Sequence, residues 1–398
     1  MIPFEAGSNS VYPSGTCTEV MRVTGYELFE VAPRWQFLKL ETDTGLAGWG
    51  EVYAKWHYVD ESPGTASAAA VDQMMQKYIL GTDPLEIERR WEQMYRSSFY
   101  RGGPVHMSAI AGIDEALWDV KGKYHDAPVY ELLGGKSRDR VRLYHHADAA
   151  NAEQALHDGF TAIKMSPDGA LNPIENPART AEFIDRVAET RAVVGDDVDI
   201  GIDFHGRVPM PGCKRLLSAL EPYEPMFVEE PVTPEFEETF PEIRASTTIP
   251  IATGERLYTR YDFKRYLEAG AIDVAQPDVS HAGGITESKK IADMTAAYGV
   301  ALAPHCPIGP LALAASLQVM AVASNALIQE QTIYHDQTWE RYFTDPSPLR
   351  AEDGYIALPS EPGLGVEIDE EAVREDNGEN LDYRRPVYEY ADGGVGDG

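Results

Sequence analysis

Cysteine and lysine are the scarce residues of this 398-residue chain. Its three cysteines, Cys17, Cys213 and Cys306, show no paired metal-ligand spacing and give no disulfide framework, which points to a reducing interior. Lysine supplies only 11 of the 34 basic residues, against 65 acidic ones, for a formal charge of −31. That charge repels a phosphate backbone, so no nucleic-acid partner is expected. Self-repulsion on this scale is tolerable where salt screens it, since at about 1 M the Debye length falls to roughly 3 Å. An acid-rich, lysine-poor surface on an otherwise globular composition therefore reads as adapted to high salt. Also missing is any run of 18 apolar residues, and the start, MIPFEAGSNSVYPSG, lacks both a basic n-region and an apolar h-region. No membrane segment or export signal is expected, and the chain is expected to be cytoplasmic.

What the chain does have is acid in a regular pattern. The stretches IGIDFHGRV, MFVEEPV and IPIATGERL are short apolar runs, each ending in one carboxylate: Asp203, Glu229 and Glu255. The two intervals are equal, 26 residues each, about one strand, one helix and two short loops. Equal spacing at strand ends places the three acids on one rim of a repeated β/α array. Three gathered carboxylates repel one another, so the pattern implies a hard divalent cation, Mg²⁺ before others.

Taken in order, residues 1–134 read as an α+β capping unit. VTGYELFEV, QFLKLETD and LAGWGEVY form a meander, with Asp43-Thr44-Gly45 as its second turn. Helical patterns follow in TASAAAVDQMMQKYILG, in DPLEIERRWEQMY with an Asp cap and a first-turn Pro, and in VHMSAIAGIDEALWDVKGK. Residues 135–332 switch to strand–helix alternation. Eight strands, near VRLYHHA, TAIKMS, VDIGIDFH, MFVEEP, IPIATGE, IDVAQPD, VALAPH and ALIQEQ, recur at intervals of 23 to 27 over the last six. This predicts a β/α barrel, with a loop insertion in DGALNPIENP. In residues 333–398, YIALP and GLGVEID are expected as strands returning to the first unit, and the acidic end, ADGGVGDG, as a disordered tail.

Strand parity sorts the site residues. Side chains alternate, so His205 faces the same way as Asp203, while Glu229 and Glu230 face opposite sides and only one can be a ligand. The 26-residue phase selects Glu229. Asp278, His305 and Glu330 close the next three strands; Asp278 can hold the His305 imidazole and raise its basicity, making a general base across from His205. Glu330 could hydrogen-bond a substrate oxygen if held protonated. Gly283-Gly284, before the helix at Thr286, is open to two readings, an anion cradle or a tight turn.

The chain resembles the enolase superfamily in its mandelate-racemase-like branch, most closely the D-galactonate dehydratases. The resemblance runs nearly end to end, through PRWQFLKLETDTG, FYRGGPVHMSAIAGIDEALWD, DFHGRV, EPMFVEEPV, FKRYLEAG, QPDVSHAGGITE, APHCPIGPLALAA, QEQ and EPGLGVEIDE. It implies a modified TIM barrel, (β/α)7β, with an α+β capping domain built from both termini. It implies Asp203, Glu229 and Glu255 as Mg²⁺ ligands, Asp278–His305 as the base dyad, His205 as general acid and Glu330 as the enolate-stabilising acid. Two departures stand out. Racemases of the branch carry Lys-x-Lys on the second barrel strand, where this chain has Lys164-Met165-Ser166, leaving Lys164 as a substrate-binding residue and disfavouring racemisation. The loop GWGEVYAKWHYVDES, with Trp56 and His57, differs from that of galactonate dehydratases and leaves the sugar open. The expected function is a Mg²⁺-dependent acid-sugar dehydratase acting on D-galactonate, with D-gluconate, xylonate, a racemase or epimerase, and a non-catalytic sugar-acid binder as alternatives. The expected partner is a small sugar acid, and a homo-oligomer is expected.

Overall fold

The computed structural model of the chain describes residues 20–53, 66–167, 169, 172, 174–335, 337–379, 387–390 and 392–396. The insertion DGALNPIENP and the C-terminal tail are described only in part, and Trp56 and His57 lie outside the described residues.

β1 (Val23–Val31), β2 (Trp35–Thr42) and β3 (Ala47–Glu51) form an antiparallel meander in register Leu28↔Leu38 and Leu38↔Gly50. α1 (Ala66–Met74), continued by a π-helical turn, leads to α2 (Ile87–Arg96) and α3 (Pro104–Tyr124). α2 begins four residues after Asp83, whose side chain instead accepts from the Leu85 N–H and shapes the turn before the helix. The meander and α3 meet along a seam without side chains. A Cβ on Gly48 or Gly50 would lie 2.2 Å from the carbonyl oxygen of Ala116 or Gly112.

α3 is buried on nearly every face from Met107 to Val120. Its acids reach backbone N–H groups that would otherwise be orphaned. Asp114 accepts from Thr286, Glu115 from Glu51, and Asp119 from both Trp49 and Leu364, at 2.8–2.9 Å. These bonds fasten the helix to its own sheet and to the second unit.

α4 (Val129–Leu132) precedes the barrel, whose elements alternate: β4 (Arg140–Arg142), β5 (His145–His146), α5 (Ala152–His157), β6 (Ala162–Met165), α6 (Pro177–Val194), β7 (Asp199–Asp203), α7 (Met210–Leu220), β8 (Phe227–Glu229), α8 (Phe240–Ala245), β9 (Ile251–Thr253), α9 (Arg260–Glu268), β10 (Val274–Ala275), α10 (Gly284–Ala297), β11 (Ala301–Leu302) and α11 (Pro310–Val322). β5 to β11 form one parallel, curled sheet in chain order. The eighth position, expected as a strand in ALIQEQ, is reduced to the parallel bridges Leu302↔Ala326 and Leu143↔Gln329, which link residues 326–329 to both edges of the sheet. The fold is the α/β modified barrel with its antiparallel cap.

Two expectations need correction. VRLYHHA is not one strand: His145–His146 pairs with β6 and Leu143 bridges Gln329 within the barrel, while β4 pairs antiparallel with β12 (Tyr355–Ala357). YIALP therefore stays with the barrel, because the backbone left exposed at Arg140–Arg142 takes it up. GLGVEID returns to the first unit without forming a strand there. Gly363 packs on Gly122 of α3, and α12 (Glu370–Glu375), capped by Asp369, is tied to β1 by the Arg374–Glu27 ion pair and to β2 by Lys39–Glu370. The part of the tail that is described holds one antiparallel bridge, Glu389↔Val395.

Candidate active site

The site lies where the parallel strands end, the face on which such barrels carry chemistry. Asp203 ends β7 and Glu229 ends β8, and they are register partners. Glu255 follows β9 after Gly254, which has φ +156° and whose Cβ would lie 2.5 Å from the Gln276 backbone. That approach admits glycine alone.

Lys164 of β6 is at the centre. Its Nζ lies 3.2 Å from Asp203, 2.9 Å from Glu229 and 2.8 Å from Glu330, and its side chain is 2% exposed. Burial works against its charge, but Glu229 and Glu330 outweigh burial and hold the ammonium well above its ordinary pKa. Sequence reasoning gave Lys164 only a substrate-binding part. A lone lysine in a strand carries no sign of the carboxylates on the neighbouring strands.

His205 reaches the site by a different route from strand parity. β7 stops at Asp203; Asp203 Oδ1 accepts from the His205 N–H at 2.8 Å, and His205 adopts a left-handed φ of +51°. This turn brings its Nε2 to 3.1 Å from Asp203 Oδ2. Arg207 Nη2 lies 2.9 Å from Nδ1. Arginine can only donate, so Nδ1 accepts and the ring proton sits on Nε2, facing the carboxylates. Burial holds this imidazole below its ordinary pKa. Arg207 follows in the same DFHGRV stretch, but no spacing rule singles it out.

Glu230 turns away, likewise at positive φ (+45°), onto Arg256 and the Thr253 hydroxyl. Burial, with Glu255 next, pushes it up to about 8. On the opposite side Asp278 Oδ2 lies 2.7 Å from His305 Nδ1, and His305 Nε2 lies 2.8 Å from Glu255 Oε2. Burial would neutralise His305, but Glu255 and Glu330 overcome it, so the imidazole is held well above its usual pKa and Glu255 well below the carboxylate range.

Glu330 does not fit a protonated acid. It is paired with Lys164, with His146 Nε2 at 2.9 Å and with the Cys306 N–H at 2.9 Å. Burial raises it, yet Lys164 and His305 outweigh burial and hold it ionised. His146 of β5, the register partner of Lys164, was missed in the sequence because the HH dipeptide gives no hint of which histidine faces inward. Gly283-Gly284 resolves to the tight turn: it packs on Trp91, Met107 and Asp114, and Asp114 fills the N-terminus of α10.

Among the described residues, no three His, Cys, Asp or Glu side chains converge as ligands on one point. Each carboxylate is instead held by a cationic neighbour: Asp203 and Glu229 by Lys164, and Glu255 by His305. Burial first and Asp203 next push Glu229 well above its ordinary pKa. Glu229 Oε1 is buried without a hydrogen-bond partner. Three clustered carboxylates, Asp203 and Glu229 buried and Glu255 partly so, one of them with a bare oxygen, are a donor set suited to a hard divalent cation. The described residues contain no helix long and apolar enough to cross a membrane.

Comparison with known proteins identifies the family. Residues 147–372 match the family described as enolase C-terminal domain-like, and residues 32–134 the mandelate racemase / muconate lactonizing enzyme N-terminal domain. The chain is 48% identical over 386 residues to a protein of Ralstonia pickettii (strain 12J) named D-galactonate dehydratase. It is 44% identical over 386 residues to one so named from Cronobacter sakazakii (strain ATCC BAA-894). Both alignments cover 94% of this chain and 99% of the relative. A solved member of the enolase superfamily from Salmonella Typhimurium superposes with a TM-score of 0.83 at 30% identity, covering 89% of this chain and 98% of that one. A mandelate racemase/muconate lactonizing enzyme from Jannaschia sp. CCS1 gives 0.82 at 31%, covering 92% and 99%. The chain belongs to the enolase superfamily, in its mandelate racemase/muconate lactonizing enzyme branch.

Proposed function

We propose that the protein is a divalent-metal-dependent, Mg²⁺-preferring hydro-lyase that converts D-galactonate to a 2-keto-3-deoxy sugar acid. The observation that carries this reading is the pair of histidines flanking one carboxylate cluster, His205 on Asp203 and His305 on Glu255. The near full-length identity to proteins named D-galactonate dehydratase supports the choice of substrate.

Asp203, Glu229 and Glu255 would hold the cation, whose charge would offset the negative charge that develops on the substrate carboxylate. Asp278 fixes the Nδ1–H of His305, so the Nε2 lone pair faces the substrate once the charge of Glu255 is neutralised. His305 Nε2 then takes the proton from C2. Lys164, locked among carboxylates, offers its ammonium to a substrate oxygen. His205, once protonated on both ring nitrogens, delivers its Nε2 proton to the departing C3 hydroxyl and returns to neutral imidazole; the hydroxyl leaves as water, and the enol left behind tautomerises to the 2-keto acid.

The test is a panel of aldonates measured with Mg²⁺ and with chelator, in high salt. D-Galactonate should show the highest kcat/KM, and chelation should abolish turnover. Highest kcat/KM on gluconate or xylonate would move the substrate and leave the reaction; full activity in thoroughly chelated protein would sink the metal.

A further inference from the structure

Next to the loops that follow the dyad residues lie two carboxylates that the chemistry above does not use. Glu115 of α3 and Glu51 at the end of β3 are both fully buried, and both belong to the N-terminal unit. Resting on the dehydratase reading, we propose that Glu115 and Glu51 are positioning residues for the Asp278–His305 base, each anchoring the loop that follows one member of the pair.

The loop after Asp278 is the first anchor. Asp278 Oδ1 accepts from the Ser280 N–H at 2.8 Å, while Oδ2 faces His305. The Ser280 hydroxyl reaches Glu115 Oε1 at 3.5 Å, and Ser280 is fully buried. The loop after His305 is the second. Glu51 Oε2 accepts from the Ala312 N–H at 2.9 Å in the first turn of α11. Two further bonds from the same unit hold that loop: Trp35 Nε1 to the Ile308 carbonyl at 2.7 Å and Arg34 Nη2 to the Pro307 carbonyl at 2.5 Å. The anchors are joined, because the Glu51 N–H donates to Glu115 Oε2 at 2.8 Å. One continuous path therefore runs from the Asp278 loop through α3 and β3 to the His305 loop.

Packing alone does not call for acids here. A Cβ on Gly309 would meet Glu51 Oε1 at 2.1 Å, so the loop leaves this slot open to the carboxyl, yet Oε1 has no hydrogen-bond partner. Burial pushes Glu51 up to about 8 and Glu115 well above the carboxylate range, which favours the neutral form of both at 0% exposure beside Asp278. A buried polar pair that costs desolvation is accounted for if it sets geometry. A base displaced by about 1 Å loses on the order of 10²-fold in rate.

The experiment uses the full-length enzyme with Mg²⁺ and an active aldonate. Glu115→Ala should slow solvent exchange of the substrate C2 proton, and kcat with it, by about 10- to 100-fold, with KM within about twofold. Glu115→Gln should restore both, because its amide oxygen can accept from Glu51 while its NH₂ donates to Ser280. Ser280→Ala should lower exchange by itself and add nothing to Glu115→Ala, as expected of residues acting through one link. The downfield proton resonance of His305 Nδ1–H, read on the resting enzyme, should shift in Ser280→Ala and stay in place in Glu115→Gln. Should Glu115→Ala fail to fold, Ser280→Ala decides. Parent-like exchange and an unmoved resonance in that variant would overturn the proposal. If the parent exchanges the C2 proton of no aldonate, the dehydratase reading fails instead, and the resonance alone decides whether the anchors act on the dyad.

Discussion

Lys164→Met removes the one ammonium that holds Asp203, Glu229 and Glu330 together, at 3.2, 2.9 and 2.8 Å. Methionine approximates the length of the lysine stem, so the perturbation is close to pure loss of charge. Breaking a buried ion pair by removing one partner costs about 3–5 kcal/mol, because the other partner is left buried and uncompensated. Here three carboxylates lose a partner, although His146 still holds Glu330 and His205 still lies on Asp203. The upper half of that range is therefore expected in chelated protein. A divalent cation on Asp203, Glu229 and Glu255, two of which lose the lysine, should return much of the loss, since a ligand at about 100 times its Kd stabilises by about 2.7 kcal/mol. The assay is denaturant unfolding of parent and variant, each with chelator and with Mg²⁺. A large deficit in chelator that shrinks in Mg²⁺ is expected. An equal deficit in both conditions, or no deficit in chelator, would refute the electrostatic account of the site.

Two further outcomes follow from charge. Burial raises Glu51 to about 8 and Asp114 to about 7, so the folded state binds protons that the unfolded chain has released above about 4.5. Their contribution is complete below about 4.5 and is lost as pH rises toward 8; Glu51→Gln should flatten that decline in a pH series of unfolding midpoints, and an unchanged slope would contradict it. The formal charge of −31 predicts a melting temperature that climbs from dilute buffer to molar KCl; a flat profile would contradict adaptation to salt.

The barrel and its carboxylate rim were legible because a β/α repeat writes its period into the chain. Asp203, Glu229, Glu255, Asp278, His305 and Glu330 recur near that period, and all lie on the face where the strands end. Parity was a poorer guide. It assumes that the strand continues, whereas β7 stops at Asp203 and His205 and Glu230 are both aimed by left-handed backbone. The charge state of Glu330 was out of reach as well, because it depends on Lys164, His146 and the Cys306 N–H, which lie on other parts of the chain. Glu51 and Glu115 give no sign in sequence, since an acid in a buried helix or strand reads like any other acid until its backbone partners are known. β12 was assigned to the wrong unit for a similar reason: a three-residue strand pairs wherever an edge is open, and the open edge was β4.

The central claim is that His305 removes the C2 proton and His205 serves only the departing hydroxyl. Incubating His205→Asn and His305→Asn with the preferred aldonate in D₂O, and following the C2 proton by NMR, separates the two steps. His205→Asn should wash in deuterium at C2 without releasing the 2-keto-3-deoxy acid, and His305→Asn should do neither. Deuterium incorporation by His305→Asn together with its absence in His205→Asn would contradict the account.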